Sequence, residues 1–399
     1  MRGLSVAVAG CGPCGLATAL LLARQGNEVT LFERFEEPQP MGSGLMIQPT
    51  GFAVLHRLGL ADRVMREGAR IDRLFGKAGD RVVLDVHYRA LRRPTLFGVG
   101  VHRASLFNAL YDAVRDEQIP VRTGLTIIGS KLHGQSRSLE FADGSESEAF
   151  DLIVDALGTR TALAAPCGRD LRYGALWATV DLADGDSFGD PALQQRYRRS
   201  SVMAGVLPIG AGTNGHSRAA AFFWSLRNDR VDQWRNAGLD AWKAEVSALW
   251  PEAVPLTDQI CAPEQLTFAR YSHRTLSTPV ERALIHIGDA WHSASPQLGQ
   301  GANMALLDAY ALALAIARAD CLDHALEAAA AMRRRHVQLY QWLTALFTPV
   351  YQSDSKMLPL VRDRLVGPLS KLWPATWIQA AMVSGLIGNP LRPLGLEAA

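Results

Sequence analysis

The chain has 399 residues, 48% hydrophobic and 20% charged, which is the make-up of a globular enzyme large enough for two or more packed units. A formal net charge of +2, without any long basic run, excludes a nucleic-acid-binding surface. Five cysteines, an odd number without framework spacing, exclude a disulfide scaffold and point to a reducing compartment, the cytoplasm.

No stretch approaches the ~20 apolar residues that span a bilayer, so no transmembrane segment is expected. Arg2 and the apolar run ending at Cys11 imitate a secretory signal, but the run reads better as a strand entering a loop. The pattern predicts a strand over 4–9, a helix over 16–25 and a strand over 27–33, the β-α-β opening of a doubly wound sheet. Between them lies Gly10-x-Gly12-x-x-Gly15, with Glu33 closing the second strand. Gly10 permits the tight turn, Gly12 lets backbone N–H groups approach a pyrophosphate, and Gly15 allows close helix–strand packing. Glu33 is suited to an adenosine ribose and would repel a 2′-phosphate. Cys11 and Cys14 form a C-x-x-C within this loop, where small packing residues explain them better than redox chemistry does.

Further along, helices are expected over 52–58, 62–67 and 103–116, and strands over 121–128, 138–142 and 148–154. Ala142-Asp143-Gly144-Ser145 is a hairpin turn between the last two. From 173 to 273 alternating runs at 175–180, 202–207 and 220–226 predict an antiparallel sheet. A second glycine pattern, Gly210 to Gly215, is followed by strand-like residues, so it reads as a hairpin turn and not as a nucleotide loop. A buried strand returns at 284–287, and helices follow over 303–319 and 326–346. Arg333, Arg334 and Arg335 are expected on a solvated face of the latter. Pro359, Pro368, Pro374, Pro390 and Pro393 cut the tail into short helices. There is no internal repeat, and no metal site is expected.

Gly288-Asp289-Ala290-Trp291-His292, then Pro296, then Gly299-Gln300-Gly301-Ala302-Asn303 and a helix carrying Asp308, is the most specific pattern in the chain. Asp289, at a strand end, suits ribityl hydroxyls. Gly299 to Asn303 form a bare helix N-terminus, whose dipole would stabilise charge on a reduced flavin pyrimidine ring. The run resembles the second FAD motif of the aromatic-ring hydroxylases, the family of the p-hydroxybenzoate, salicylate and ubiquinone-pathway ring hydroxylases. The similarity covers most of residues 4 to 345, the middle sheet in outline only.

That resemblance implies an α/β fold: a Rossmann-type FAD-binding domain (1–75, 98–165 and 277–345), an inserted antiparallel β-sheet substrate domain (76–97 and 166–276), and a C-terminal helical tail (346–399). It implies FAD as cofactor, NADH or NADPH as transient donor, and oxygen transfer from a flavin C4a-hydroperoxide to an electron-rich ring. Arg103 corresponds to the family's arginine near the FAD phosphates. Arg34, after the ribose glutamate, stands beside adenine or is simply exposed, and Gly44 and Gln48 lie in the loop at the isoalloxazine edge. Pro296 borders the reacting face, and His292, the histidine nearest the flavin motif, either satisfies backbone groups, as is commoner in the family, or takes part in catalysis. Met203, Leu207, Phe222 and Trp224, with Tyr173 and Trp177, would line an apolar pocket or else pack in the core. Such a pocket, without an evident base, suits a hydrophobic or heteroaromatic small molecule.

One position departs from the pattern. Leu157 stands where the family places an aspartate implicated in FAD and nicotinamide contacts, and Asp155 is two residues upstream. Either Asp155 compensates or donor handling is altered. The rivals to a self-sufficient monooxygenase are therefore one fed by a partner reductase, and a flavin dehydrogenase or reductase. The apolar residues Trp373, Trp377, Ile378, Met382, Leu386 and Ile387 of the tail suit packing over the second sheet or a homodimer contact, with membrane-surface docking as the alternative.

Overall fold

The computed structural model describes residues 1–398 except 41, 184, 186, 212–217 and 367–370. A six-stranded sheet runs in the order Val280–Glu281, Leu284–His286, Leu152–Asp155, Ser5–Ala9, Glu28–Phe32, Val121–Arg122. All its pairings are parallel except the first. The chain begins in the middle and winds out both ways, so Ser5–Ala9 is the topological switch point. In register, Ala9 lies beside Phe32 and Asp155, and Asp155 beside His286. The carboxyl ends of four strands thus form one edge, where open α/β sheets bind ligands.

Both faces of this sheet are covered. Val6 and Val8 pack into a core with the helices Pro13–Ala23, Arg103–Asp116 and Gly301–Arg318. Ala7 and Ala9, on the opposite face, meet Phe32, Leu139, Phe141 and Phe150. Burial on both sides explains why the strand reads as an unbroken apolar run.

The second sheet has seven strands in the order Thr267–Ala269, Tyr173–Leu182, Arg218–Arg227, Val202–Ala211, Ala192–Arg198, Arg73–Ala78, Arg81–His87. Ala192–Arg198 pairs parallel with Arg73–Ala78, and every other pairing is antiparallel. The strands on either side of the second glycine pattern do pair antiparallel. Its residues 212–215 lie outside the described residues, as does Pro368. A three-stranded sheet (Gly44–Ile47, Gly98–His102, Ala69–Ile71) lies against the larger one. Only glycine permits that approach: a Cβ on Gly100 would sit 2.0 Å from the Pro208 carbonyl, and one on Gly44 2.6 Å from the Ala221 methyl.

Two expected strands are interrupted. The run at 121–128 splits into Val121–Arg122 and the start of Ile127–His133, because Gly124 turns the chain at φ +72°. Ile127–His133 then pairs with Ser136–Phe141. The turn at Ala142 forms, with Gly144 N–H donating to the Phe141 carbonyl at 3.0 Å. Only isolated bridges at Glu146 and Phe150 follow it before Leu152–Asp155 joins the parallel sheet.

Candidate functional site

At the switch point the chain leaves Ser5–Ala9 through Gly10, at φ +105°, where a Cβ would lie 2.7 Å from the Ala156 carbonyl oxygen. A Cβ on Gly15 would lie 1.9 Å from the Gly10 carbonyl oxygen. These two glycines make the loop tight. Gly12 differs: a Cβ there meets nothing within 4 Å, so the loop opens to solvent at that point. The helix Pro13–Ala23 begins at Gly12 with no side-chain cap, leaving N–H groups and the positive dipole end for an anion. The Glu33 carboxylate lies over the loop and accepts from Cys11 N–H at 3.0 Å and Arg34 N–H at 2.9 Å. Arg34 is exposed, its guanidinium 4.6 Å from the Phe35 ring centre.

Cys11 and Cys14 are both buried. Desolvation, then Glu33, pushes the Cys11 thiol up to about 12, and burial also raises Cys14, which donates to the Ala305 carbonyl. Neither is a thiolate near neutral pH, as a redox role would need.

Across the cleft, Leu284–His286 gives way to a turn at Gly288, φ +58°, which presents Asp289. Its side chain is solvent-accessible yet set in a recess crowded enough that desolvation raises its carboxyl, with His292 and Arg103 pulling the other way. Gly301, also exposed, opens the helix Gly301–Arg318, again without a side-chain cap; a Cβ there would be 4.0 Å from Asp289 Oδ1. Ala302 is half-buried beside it, and Pro296 is exposed on the short turn that ends at Gly299, φ +61°. Arg103 starts its helix with N–H donating to the Ser43 carbonyl at 2.7 Å. Its side chain passes over Gly42, where a Cβ would meet Arg103 Cδ at 3.0 Å.

Three expected contact residues lie behind this surface instead of on it. Gln48 and Asn303 are fully buried, and Gly44 is covered by Ala221 and Ile209. Asn303 Oδ1 accepts from Gln48 N–H at 2.7 Å, and its Nδ2 donates to the Met46 and Gly299 carbonyls. Gln48 Oε1 accepts from the Tyr88 hydroxyl. Asn303 thereby ties the Gly44–Ile47 strand to the helix start, while the buried Gln48 Nε2 has no partner among the described residues.

His292 is likewise buried, 2.6 Å from Asp308 Oδ2, the oxygen that also accepts from Gly288 N–H at 3.0 Å. Asp308 Oδ1 accepts from Arg333 Nε at 2.8 Å, and Arg333 Nη1 meets His336 Nδ1 at 3.0 Å. Burial opposes ionisation of Asp308, but His292 and Arg333 outweigh it and bring its pKa down to about 2. Arg333 is therefore not on a solvated face: it is 1% exposed, turned into the bundle to meet this carboxylate. The alanine-rich sequence around it carries no trace of that.

The second sheet turns one face to the three-stranded sheet. Met203 and Leu207 lie on that face with Met46, Tyr88 and Phe223, and Trp177 packs at 4.8 Å from the Phe223 ring. Phe222 and Trp224 do not. They point to the opposite face and pack against Trp242 of the helix Leu239–Leu249, so their assignment to a pocket is corrected to a core role. The strand 218–227 has neighbours on both faces, and its run Ala219 to Trp224 lacks the alternation that would reveal parity. Tyr173 is committed to Asp354. Phe223, Tyr88 and Tyr271 were not found from sequence. Tyr271 accepts from Trp177 Nε1 at 2.9 Å, and burial pushes its hydroxyl up to about 12.

Asp155 does not reach outward for Leu157. Its carboxylate is fully buried, accepting from Leu157 N–H at 3.0 Å and Thr161 Oγ1 at 2.7 Å, and lying 2.6 Å from His286 Nδ1. Next to this loop is a cleft of about 300 Å³ whose lining includes Thr159, Arg160, Arg169, Asp170, Arg270 and Tyr271. Arg274, buried behind it, donates Nη1 to the Thr159 carbonyl at 3.1 Å; Nε and Nη2 have no partner among the described residues.

Residues 3–339 match the family model described as an FAD binding domain. The 3-amino-4-hydroxybenzoate 2-monooxygenase of Streptomyces cremeus is 24% identical over 330 residues, covering 81% of this chain and 79% of its own. The 6-methylpretetramide 4-monooxygenase of Streptomyces rimosus is 27% identical over 374 residues, covering 90% and 87%. Among solved structures, Klebsiella pneumoniae HpxO complexed with FAD and uric acid superposes with a TM-score of 0.79 at 20% identity, covering 98% of this chain and 99% of its own.

Proposed function

The chain belongs to the FAD-binding-domain family, and from that premise we propose an FAD-dependent monooxygenase that uses molecular oxygen to hydroxylate a small aromatic or polycyclic molecule. Bound FAD supplies reduction by a nicotinamide donor and activation of oxygen. The uncapped helix at Gly12 and the side chain of Arg103 suit the pyrophosphate, Glu33 the adenosine ribose, and Arg34 the adenine edge. Asp289 suits the ribityl hydroxyls. Gly301 and Ala302 offer N–H groups and a helix dipole to the pyrimidine ring, and Pro296 borders the reacting face.

What carries this reading is Asp289 beside the bare helix start at Gly301, two walls of one cleft at the carboxyl edge of a parallel sheet. The FAD-binding unit then comprises 1–72, 98–165 and 277–345. The substrate unit comprises 73–97 and 166–276, its first boundary moved back from 76 because the strand Arg73–Ala78 pairs within the second sheet, and the helical tail is 346–399. Met46, Leu207, Phe223 and Trp177 give the substrate an apolar wall that excludes water. Tyr271, with its acceptor role spent on Trp177, holds a proton to donate to a ring oxygen or nitrogen; its raised pKa excludes it as a base at neutral pH.

Arg160, Arg169 and Arg270 suit the phosphates of the donor, NADH or NADPH. The inward-turned Asp155 favours one rival, a monooxygenase supplied by a partner reductase, since no carboxylate stands at Leu157. Anaerobic mixing of holoprotein with NADH and then NADPH separates them. Bleaching of the oxidised flavin, followed by oxygen uptake that matches hydroxylated product, is expected. Bleaching with no oxygen incorporated would reveal a dehydrogenase, and no bleaching with either nucleotide would reveal a partner-fed enzyme.

A further inference from the structure

Among the described residues, eleven large hydrophobic side chains are exposed, and nine of them fall between 342 and 378. Part of the tail is docked. Ala380, Ala381 and Val383 pack with Tyr88 and Phe223, and the Tyr340 hydroxyl donates to the Met382 carbonyl at 2.8 Å. The same helix, Ala375–Val383, turns Trp377 and Ile378 outward, and the preceding Leu372 and Trp373 are 61% and 74% exposed. Met357, 68% exposed, lies on the helix Met357–Val361, and this helix and its continuation Arg362–Val366 lead to the same strand, Arg81–His87, that Ala375–Val383 packs on.

Charge on this patch has one sign. Asp354 is bound to Arg227 and Tyr173, and Asp363 to Arg362, so the local carboxylates are neutralised. Lys356, Arg364 and Lys371 are exposed and have no ion-pair partner among the described residues. Exposed tryptophans and leucines beside unpaired cations match an anionic bilayer surface, where the rings enter the headgroup layer and the cations meet lipid phosphates. A two-fold contact between copies would set these cations against one another, which opposes self-association through this face. No helix among the described residues is long and apolar enough to cross a membrane, so the contact is peripheral.

We propose that the exposed Met357, Leu372, Trp373, Trp377 and Ile378, with the cations Lys356, Arg364 and Lys371, dock this enzyme on anionic lipid. The test is flotation of the holoprotein with vesicles of phosphatidylcholine alone and with about one-third phosphatidylglycerol. Recovery with the anionic vesicles about tenfold higher is expected, falling to the neutral-vesicle level in 0.5 M salt, roughly beyond the reach of such charges. Leu372→Ser with Trp373→Ser, and separately Lys371→Glu, lower recovery while flavin content stays unchanged. Equal recovery with and without vesicles overturns the proposal. So does light scattering that finds a dimer which Trp373→Ser dissociates, since a second copy is then the occupant.

Discussion

One oxygen of Asp308 holds both ends of the turn that carries Asp289: it lies 2.6 Å from His292 Nε2 and 3.0 Å from Gly288 N. The other oxygen neutralises the buried Arg333. Asp308→Asn leaves Arg333 buried without its counter-charge, an expected loss of about 3–5 kcal/mol by urea denaturation. Because the Asp308 pKa is lowered in the folded state, its contribution is present above the ordinary carboxylate range and is lost as pH falls towards about 2. The acid limb of the stability profile should therefore be shallower in Asp308→Asn. An unchanged acid limb would show that the pair contributes nothing.

His336 works in the opposite range. Burial first, then Arg333, holds it well below 6.5, so it stays neutral in the fold while the unfolded chain takes up a proton. Stability from this group is present above about pH 6.5 and falls as the solution is acidified below it, by up to about 1.4 kcal/mol per pH unit. His336→Gln should flatten the profile between pH 6.5 and 5, measured as Tm against pH.

Gly12 and Gly15 should separate ligand binding from folding. Gly12→Ala meets open space, so the apoprotein should melt as the wild type does, while FAD binds about tenfold more weakly or worse, because the new methyl stands where a pyrophosphate approaches. Gly15→Ala places a methyl 1.9 Å from a backbone oxygen and should cost several kcal/mol, roughly as overpacking does. Equal melting of the two apoproteins would contradict this division.

Adjacent residues of one strand should behave differently. Phe222→Ala and Trp224→Ala empty the core around Trp242 and are expected to lower stability by about 3–5 kcal/mol with KM for the aromatic substrate near wild type. Phe223→Ala should raise substrate KM and the fraction of oxygen released as peroxide. Steady-state kinetics with product and peroxide assays decide the matter.

Arg160→Ala and Arg270→Ala should each raise KM for the nicotinamide donor about tenfold with kcat little changed, the signature of uniform binding. Stopped-flow reduction at rising donor concentration would expose a contrary result, a lower limiting rate at unchanged half-saturation.

By itself the sequence determined the parts whose backbone demands are local. The glycine loop, Glu33 at a strand end and the Gly288–Asn303 run each require particular residues at short spacing, so strand, turn and helix start can be read from neighbours a few positions apart. The β-α-β opening and the antiparallel runs were legible for the same reason, since period and punctuation are local signals. What only the tertiary structure decided is which side each side chain faces. In Ala219 to Trp224 both faces are covered, no alternation survives, and register alone sends Phe223 to the face shared with Met46 and Tyr88 and Phe222 to the face packed on Trp242. The Asn303 side chain withdrew from the surface because it found the backbone of Met46 and Gln48 about 255 positions away. Arg333 went inside because Asp308, on another helix, offers the opposite charge in a place water does not reach. Such pairings are set by long-range packing, and a desolvated charge is tolerated only where the fold brings its counter-charge to it.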